Sequence, residues 1–179
     1  MKFISFNHDN SEKFGIIENN LITDLTGKID EALSLKELIK KKKIKEAKEY
    51  AKSNPGSIKP DQIKYSPLIP NPGKIICVGL NYSEHVKETN RTVEENPVIF
   101  HRFPESQTAH MQAIQRPTVS ESLDFEGEMA VIMGEGGKHI KPEDALKHIV
   151  GFSCYNESTI REWQRHTRQF GMGKNFEKT

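Results

Sequence analysis

The run Asp124-Phe125-Glu126-Gly127-Glu128-Met129-Ala130-Val131 constrains this chain more than any other stretch. It reads as a strand, and side chains alternate faces along a strand. Glu126 and Glu128 are therefore expected on one side, with Met129, Val131 and Met133 on the other. Two carboxylates beside an apolar run are costly to bury without a cation. Hard oxygen donors of this kind suit Mg²⁺, Mn²⁺ or Ca²⁺. Glu157, after the turn-prone Asn156 at the end of another expected strand, offers a third carboxylate for the same ion. A solvent-facing strand edge is the alternative reading of the pair.

Composition removes several function classes. The formal net charge over 179 residues is +1, so no global field recruits nucleic acid or an acidic membrane. Lys40 to Lys43 form an unbroken basic run, read as a solvated helix face. No stretch approaches the ~18 apolar residues of a membrane span. The N-terminus lacks the apolar region of a signal peptide, so a cytoplasmic location is expected. A hydrophobic fraction of 35% is low for a compact chain and implies much surface, or a core that is partly missing. Cys77 and Cys154 have apolar or aromatic neighbours and no zinc or redox spacing, which predicts buried, reduced thiols.

Punctuation along the chain predicts its organisation. Residues 1–26 alternate apolar runs with Asp9-Asn10 and Asn19-Asn20, the signals of an antiparallel meander. Residues 29–52 carry a ragged helical stripe. Residues 53–73 hold five prolines and read as a linker. An N-terminal α+β module with its proline-rich linker is thus expected over 1–70, and a β-rich part over 71–179. In the latter, 74–80, 97–102, 125–133 and 151–157 read as strands. Thr159 and Glu162 are spaced as a capping box opening a further helix.

Other residues carry chemistry by type and spacing. His85 and Glu88 sit three apart, neighbours on a helix, where a carboxylate orients an imidazole and raises its basicity. A surface pair is the plainer reading. Arg161, Gln164, Arg165 and Arg168 are spaced for one helix face, and an arginine fork suits a substrate carboxylate, while Arg165 and Arg168 read as an exposed basic face. Lys174 follows Gly171-Met172-Gly173 and can stabilise an oxyanion.

In order, Val78-Gly79-Leu80-Asn81-Tyr82-Ser83-Glu84-His85, Pro97-Val98-Ile99-Phe100, Asp124 to Val131, Gly151 to Gln164 and Gly173-Lys174-Asn175-Phe176 resemble the fumarylacetoacetate hydrolase family. The resemblance implies a mixed β-roll catalytic domain that forms a homodimer. It implies Glu126, Glu128 and Glu157 as metal ligands, with Glu157 where an aspartate is usual, and Mg²⁺ as the metal. It also implies His85, Glu88 and Lys174 as catalytic residues and Arg161, Gln164 and Tyr82 as substrate contacts. The implied activity is metal-dependent cleavage of a carbon–carbon bond in an acylpyruvate or β-diketo acid, or a related isomerisation or decarboxylation of an oxo-dienoate. The family's catalytic domain continues past the lysine motif, so the chain is expected to lack its C-terminal part. An inactive fragment or binding module of the same fold is the competing expectation.

Overall fold

The computed structural model describes residues 1–82 and 95–179. Strands run in chain order as β1 (Lys2–His8), β2 (Ser11–Glu18), β3 (Leu21–Asp24), β4 (Lys64–Ser66), β5 (Ile75–Gly79), β6 (Val98–Arg102), β7 (Leu123–Asp124), β8 (Gly127–Met133), β9 (Ile149–Asn156) and β10 (Thr159–Ile160). The helices are α1 (Leu35–Lys40), α2 (Ile44–Ser53), α3 (Arg161–Gln164) and α4 (Gly171–Lys174). Contacts divide the chain into two compact units. The first comprises 1–70, 108–113 and 127–156; the second comprises 71–107, 114–126 and 157–179.

In the first unit, β1, β2 and β3 form the expected meander, extended by β4 in the order β3-β2-β1-β4. Asp9-Asn10 and Asn19-Asn20 all have positive φ, the backbone that two-residue hairpin turns demand and that asparagine tolerates. One core joins sheet to helices: Phe14, Ile16 and Leu25 pack with Leu35, Leu38, Ala47 and Ala51. Helix α1 starts where Ser34 accepts a hydrogen bond from the Glu37 amide at 3.2 Å.

Three expectations about this unit need correction. The helix expected over 29–52 is two helices, because Lys42 takes a left-handed conformation (φ 58°) and breaks the ladder between them. The proline-rich stretch is not only linker: Lys64–Ser66 pairs with β1 as an edge strand, a place that proline-flanked residues can occupy. The hairpin of β8 and β9 shows the expected alternation, with Met129, Val131 and Met133 outward and Glu128, Ala130 and Ile132 half-buried. Cys154 lies on β9 opposite Met129 and is exposed rather than buried; Cys154 and the half-buried Cys77 are both free thiols.

The second unit is built from two short antiparallel pairs, β5 with β6 and β7 with β10. Cys77 faces Phe100 in the first pair, and Asp124 faces Thr159 in the second. Helices α3 and α4 follow β10 in the chain.

Asp24 gives the meander a pH-dependent tie. Its Oδ2 accepts from Lys13 Nζ at 2.8 Å and its Oδ1 from the Thr26 amide at 2.9 Å. Burial pushes Asp24 up, but the Lys13 and Thr26 bonds outweigh it and hold the carboxyl below its ordinary range. Its stabilisation is therefore complete above the ordinary carboxylate range and is lost as pH falls through the lowered value. In urea unfolding between about pH 5 and pH 2, the wild type should lose on the order of 1 kcal/mol more than Asp24→Asn. Parallel pH profiles for the two proteins would contradict this role.

Candidate active site

Glu126 is not inside a strand, as the sequence pattern suggests, but at the joint between β7 and β8. Gly127 begins the strand that carries Glu128, so Glu126 takes its position from the backbone beside it instead. Its carbonyl accepts the Glu157 amide at 2.8 Å, which ties the two carboxylate-bearing segments together. Oxygens of Glu126 and Glu157 lie within 4.8 Å of one another. Like charges this close repel unless something positive sits with them.

That positive group is Lys174. Its ammonium donates to Glu126 Oε1 and Oε2 at 3.0 and 3.1 Å and to Glu157 Oε2 at 3.2 Å. It also lies 4.9 Å from the centroid of the Phe100 ring. Lys174 is only 2% exposed, which a lysine sustains only when paired. The Thr159 hydroxyl donates to Glu126 Oε1 at 2.7 Å, and Arg161 Nη1 lies 2.7 Å from the same oxygen. Burial pushes Glu126 up, but Lys174, Thr159 and Arg161 together hold its carboxyl below the ordinary range.

Arg161 also spans Asp124, with Nε and Nη2 each 2.8 Å from Oδ2, and its Nη1 donates to Gln164 Oε1 at 3.0 Å. Arg102 is buried behind Glu157. It donates to Ser106 Oγ, to the Ser158 carbonyl and to the Thr179 carbonyl, and its Nη1 stands 4.0 Å from Glu157 Oε1. Glu157 is 5% exposed, yet its Oε1 accepts no hydrogen bond among the described residues. A buried carboxylate oxygen without a donor is costly, and a cation would satisfy it. The donor set, carboxylate oxygen throughout, fits a hard divalent ion. Nearby, the Cys77 thiol is pushed up to about 12, by burial first and then by the Glu157 carboxylate, so it stays protonated and inert.

Of the residues singled out in the sequence, the second unit thus brings together Glu126, Glu157, Lys174, Arg161 and Gln164. Glu128 lies two residues past Glu126, half-buried on β8. Tyr82 is exposed. His85 and Glu88 lie outside the described residues. The basic helix face is shorter than expected: α3 ends at Gln164, and Arg165 and Arg168 are exposed. The capping box does not form. Thr159 spends its hydroxyl on Glu126, and the Glu162 amide instead lies 3.4 Å from Ser122 Oγ.

Residues 74–179 match the family model for the fumarylacetoacetate (FAA) hydrolase C-terminal region. The chain belongs to the fumarylacetoacetate hydrolase family. The mitochondrial oxaloacetate tautomerase Fahd2a of Rattus norvegicus is 39% identical over 117 residues, covering 65% of this chain and 37% of that protein. A fumarylacetoacetate hydrolase from Exiguobacterium antarcticum superposes with a TM-score of 0.75 at 29% identity, covering 99% of this chain and 62% of its own. A maleylpyruvate hydrolase from Sphingobium, solved with manganese(II) and pyruvate, has the same fold at a TM-score of 0.71 and 21% identity, covering 90% and 60%. The fold is accordingly the mixed, strand-rich fumarylacetoacetate hydrolase fold with few helices, and these relatives are enzymes. The chain spans little more than a third of the rat tautomerase.

The placement of Lys174 depends on Gly173. A Cβ there would stand 2.4 Å from the Gln164 amide nitrogen and 2.5 Å from the Ile160 carbonyl oxygen. Both obstacles are backbone, so α3 and α4 would have to separate. Gly173→Ala should cost about 1–3 kcal/mol in urea unfolding. An unchanged midpoint would show that this close approach does not hold the lysine in place.

Proposed function

We propose that this chain, with a divalent cation, acts on a small 2-oxo acid by moving a proton at the carbon beside the oxo group. This is the class of reaction for which its relative is named, a tautomerase. The observation that carries the reading is the clustering of Glu126 and Glu157 around the Lys174 ammonium, with one buried Glu157 oxygen accepting no hydrogen bond among the described residues. Glu126 and Glu157 are the residues of the second unit that would hold the ion; Glu128 is the further ligand that the family resemblance implies. Bound there, such a cation supplies Lewis-acid polarisation of substrate oxygens.

The protein's own groups would do the rest. The planar fork of Arg161, itself paired with Asp124 and propped by Gln164, suits the carboxylate of an oxo acid. Lys174 brings an ammonium to where negative charge develops on the oxo oxygen as the neighbouring carbon loses its proton. His85 is the base that the family resemblance assigns, and Glu88 the partner that the same resemblance implies for it. His85 would take the proton from the carbon and deliver it to the oxo oxygen to give the enol, or run the same transfer in reverse, so the tautomerisation is balanced without a co-reactant.

Hydrolysis of an acylpyruvate is the second reading, favoured by the His85–Glu88 spacing, which suits activation of water. The two reactions are separable. Loss of enol absorbance from oxaloacetate, followed with Mn²⁺ and with EDTA, should be accelerated by the protein only with the metal. Glu126→Gln should lower kcat/KM by on the order of a hundredfold or more. Pyruvate release from an acylpyruvate, without enol turnover, would instead favour hydrolysis. Neither activity at saturating Mn²⁺ would contradict both readings.

A further inference from the structure

The Lys174 ammonium stands against the same two carboxylates, Glu126 and Glu157, that would hold a bound cation. The ammonium has three protons to donate, and among the described residues the oxygens it meets at hydrogen-bond distance belong to Glu126 and Glu157. The Phe100 ring lies against the same ammonium. The lysine is buried, so water cannot take over these bonds cheaply if the ammonium leaves. Conversely, the two carboxylates could not remain so close without a positive charge between them. Thr159 and Arg161 hold only Glu126 Oε1. The ammonium is thus the group that links the Glu126 segment to the Glu157 side chain.

We propose that Lys174 is an internal counter-cation that holds Glu126 and Glu157 in place before a metal arrives and must give them up when one binds. The inference rests on the metal reading above and adds to it that metal uptake is an exchange against a residue of the chain. No covalent bond changes; one ammonium is traded for one divalent ion at shared carboxylate oxygens. Two consequences follow. The ammonium lowers the intrinsic metal affinity, and its displacement frees a positive group for the anionic substrate. Lys174 is in this respect a positioning residue for the ligands, and a purely structural lysine would not show the first consequence.

Calorimetric titration of the full chain with Mn²⁺ tests the exchange, using wild type, Lys174→Met and Lys174→Arg. Lys174→Met keeps the apolar stem and removes the charge. It should bind Mn²⁺ at least about tenfold more tightly than wild type while melting at a lower temperature without metal; tenfold corresponds to about 1.4 kcal/mol. Lys174→Arg restores the charge and should return affinity to the wild-type level or below. Binding by wild type with no gain in Lys174→Met would overturn the counter-cation while leaving the metal site standing. No binding by either protein would overturn the metal reading and the exchange with it. Should Lys174→Met fail to fold, the ¹⁵N-labelled lysine ammonium resonances of wild type decide the matter. The Lys174 signal should shift or vanish at saturating Mg²⁺; a signal unmoved by bound Mg²⁺ would overturn the proposal.

Discussion

A buried ammonium between two carboxylates organises the second unit. Lys174, Glu126 and Glu157 come from three separate stretches of chain; Lys174 and Glu157 are buried, Glu126 is half-buried, and neither buried group could stay so alone. Removing one partner from such a group typically costs about 3–5 kcal/mol, because the others are left charged and dry. The remaining polar contacts are arranged around this constraint. Thr159 and Arg161 brace Glu126, Asp124 and Gln164 brace Arg161, and Arg102 ties the backbone just after Glu157 to that at Thr179.

Short elements suffice here because position matters more than length. Strands β7 and β10 pair over two residues each, yet that pairing sets Thr159 beside the acid run. Helix α4 is a single turn, but its glycine lets it press on the backbone of Gln164 and carry the next residue, Lys174, into the interior. Sequence order therefore becomes chemistry through close backbone approach rather than through a large apolar core. The described apolar core lies in the other unit, around Phe14, Ile16 and Leu38.

The parts legible in the sequence are those governed by local rules. Paired Asp-Asn and Asn-Asn residues announce the hairpins because few other residues accept their backbone. The acid run, the arginine and the lysine motif are recognisable by residue type and order, which is why the family could be read from them. What escaped has a non-local cause. The break at Lys42 follows no proline or glycine. Thr159 carries the signature of a helix cap, yet it sits in β10 paired with Asp124, and the helix starts one residue too late for it, with Ile160 at the cap position. Glu126 looks like part of a strand because alternation cannot reveal where one pairing ends and another begins. Arg102 bore a usable signal: it sits two residues after the buried Phe100, on the same face of β6.

Glu126 and Glu157 form the proposed cation site, and Lys174 holds both carboxylates. The most direct measurement is anomalous diffraction from crystals of the full chain grown with Mn²⁺. A peak coordinated by oxygens of both glutamates, with the Lys174 ammonium moved off them, is the expected result. Crystals in which Mn²⁺ is absent from these carboxylates, and Lys174 keeps all its contacts with them, would contradict it.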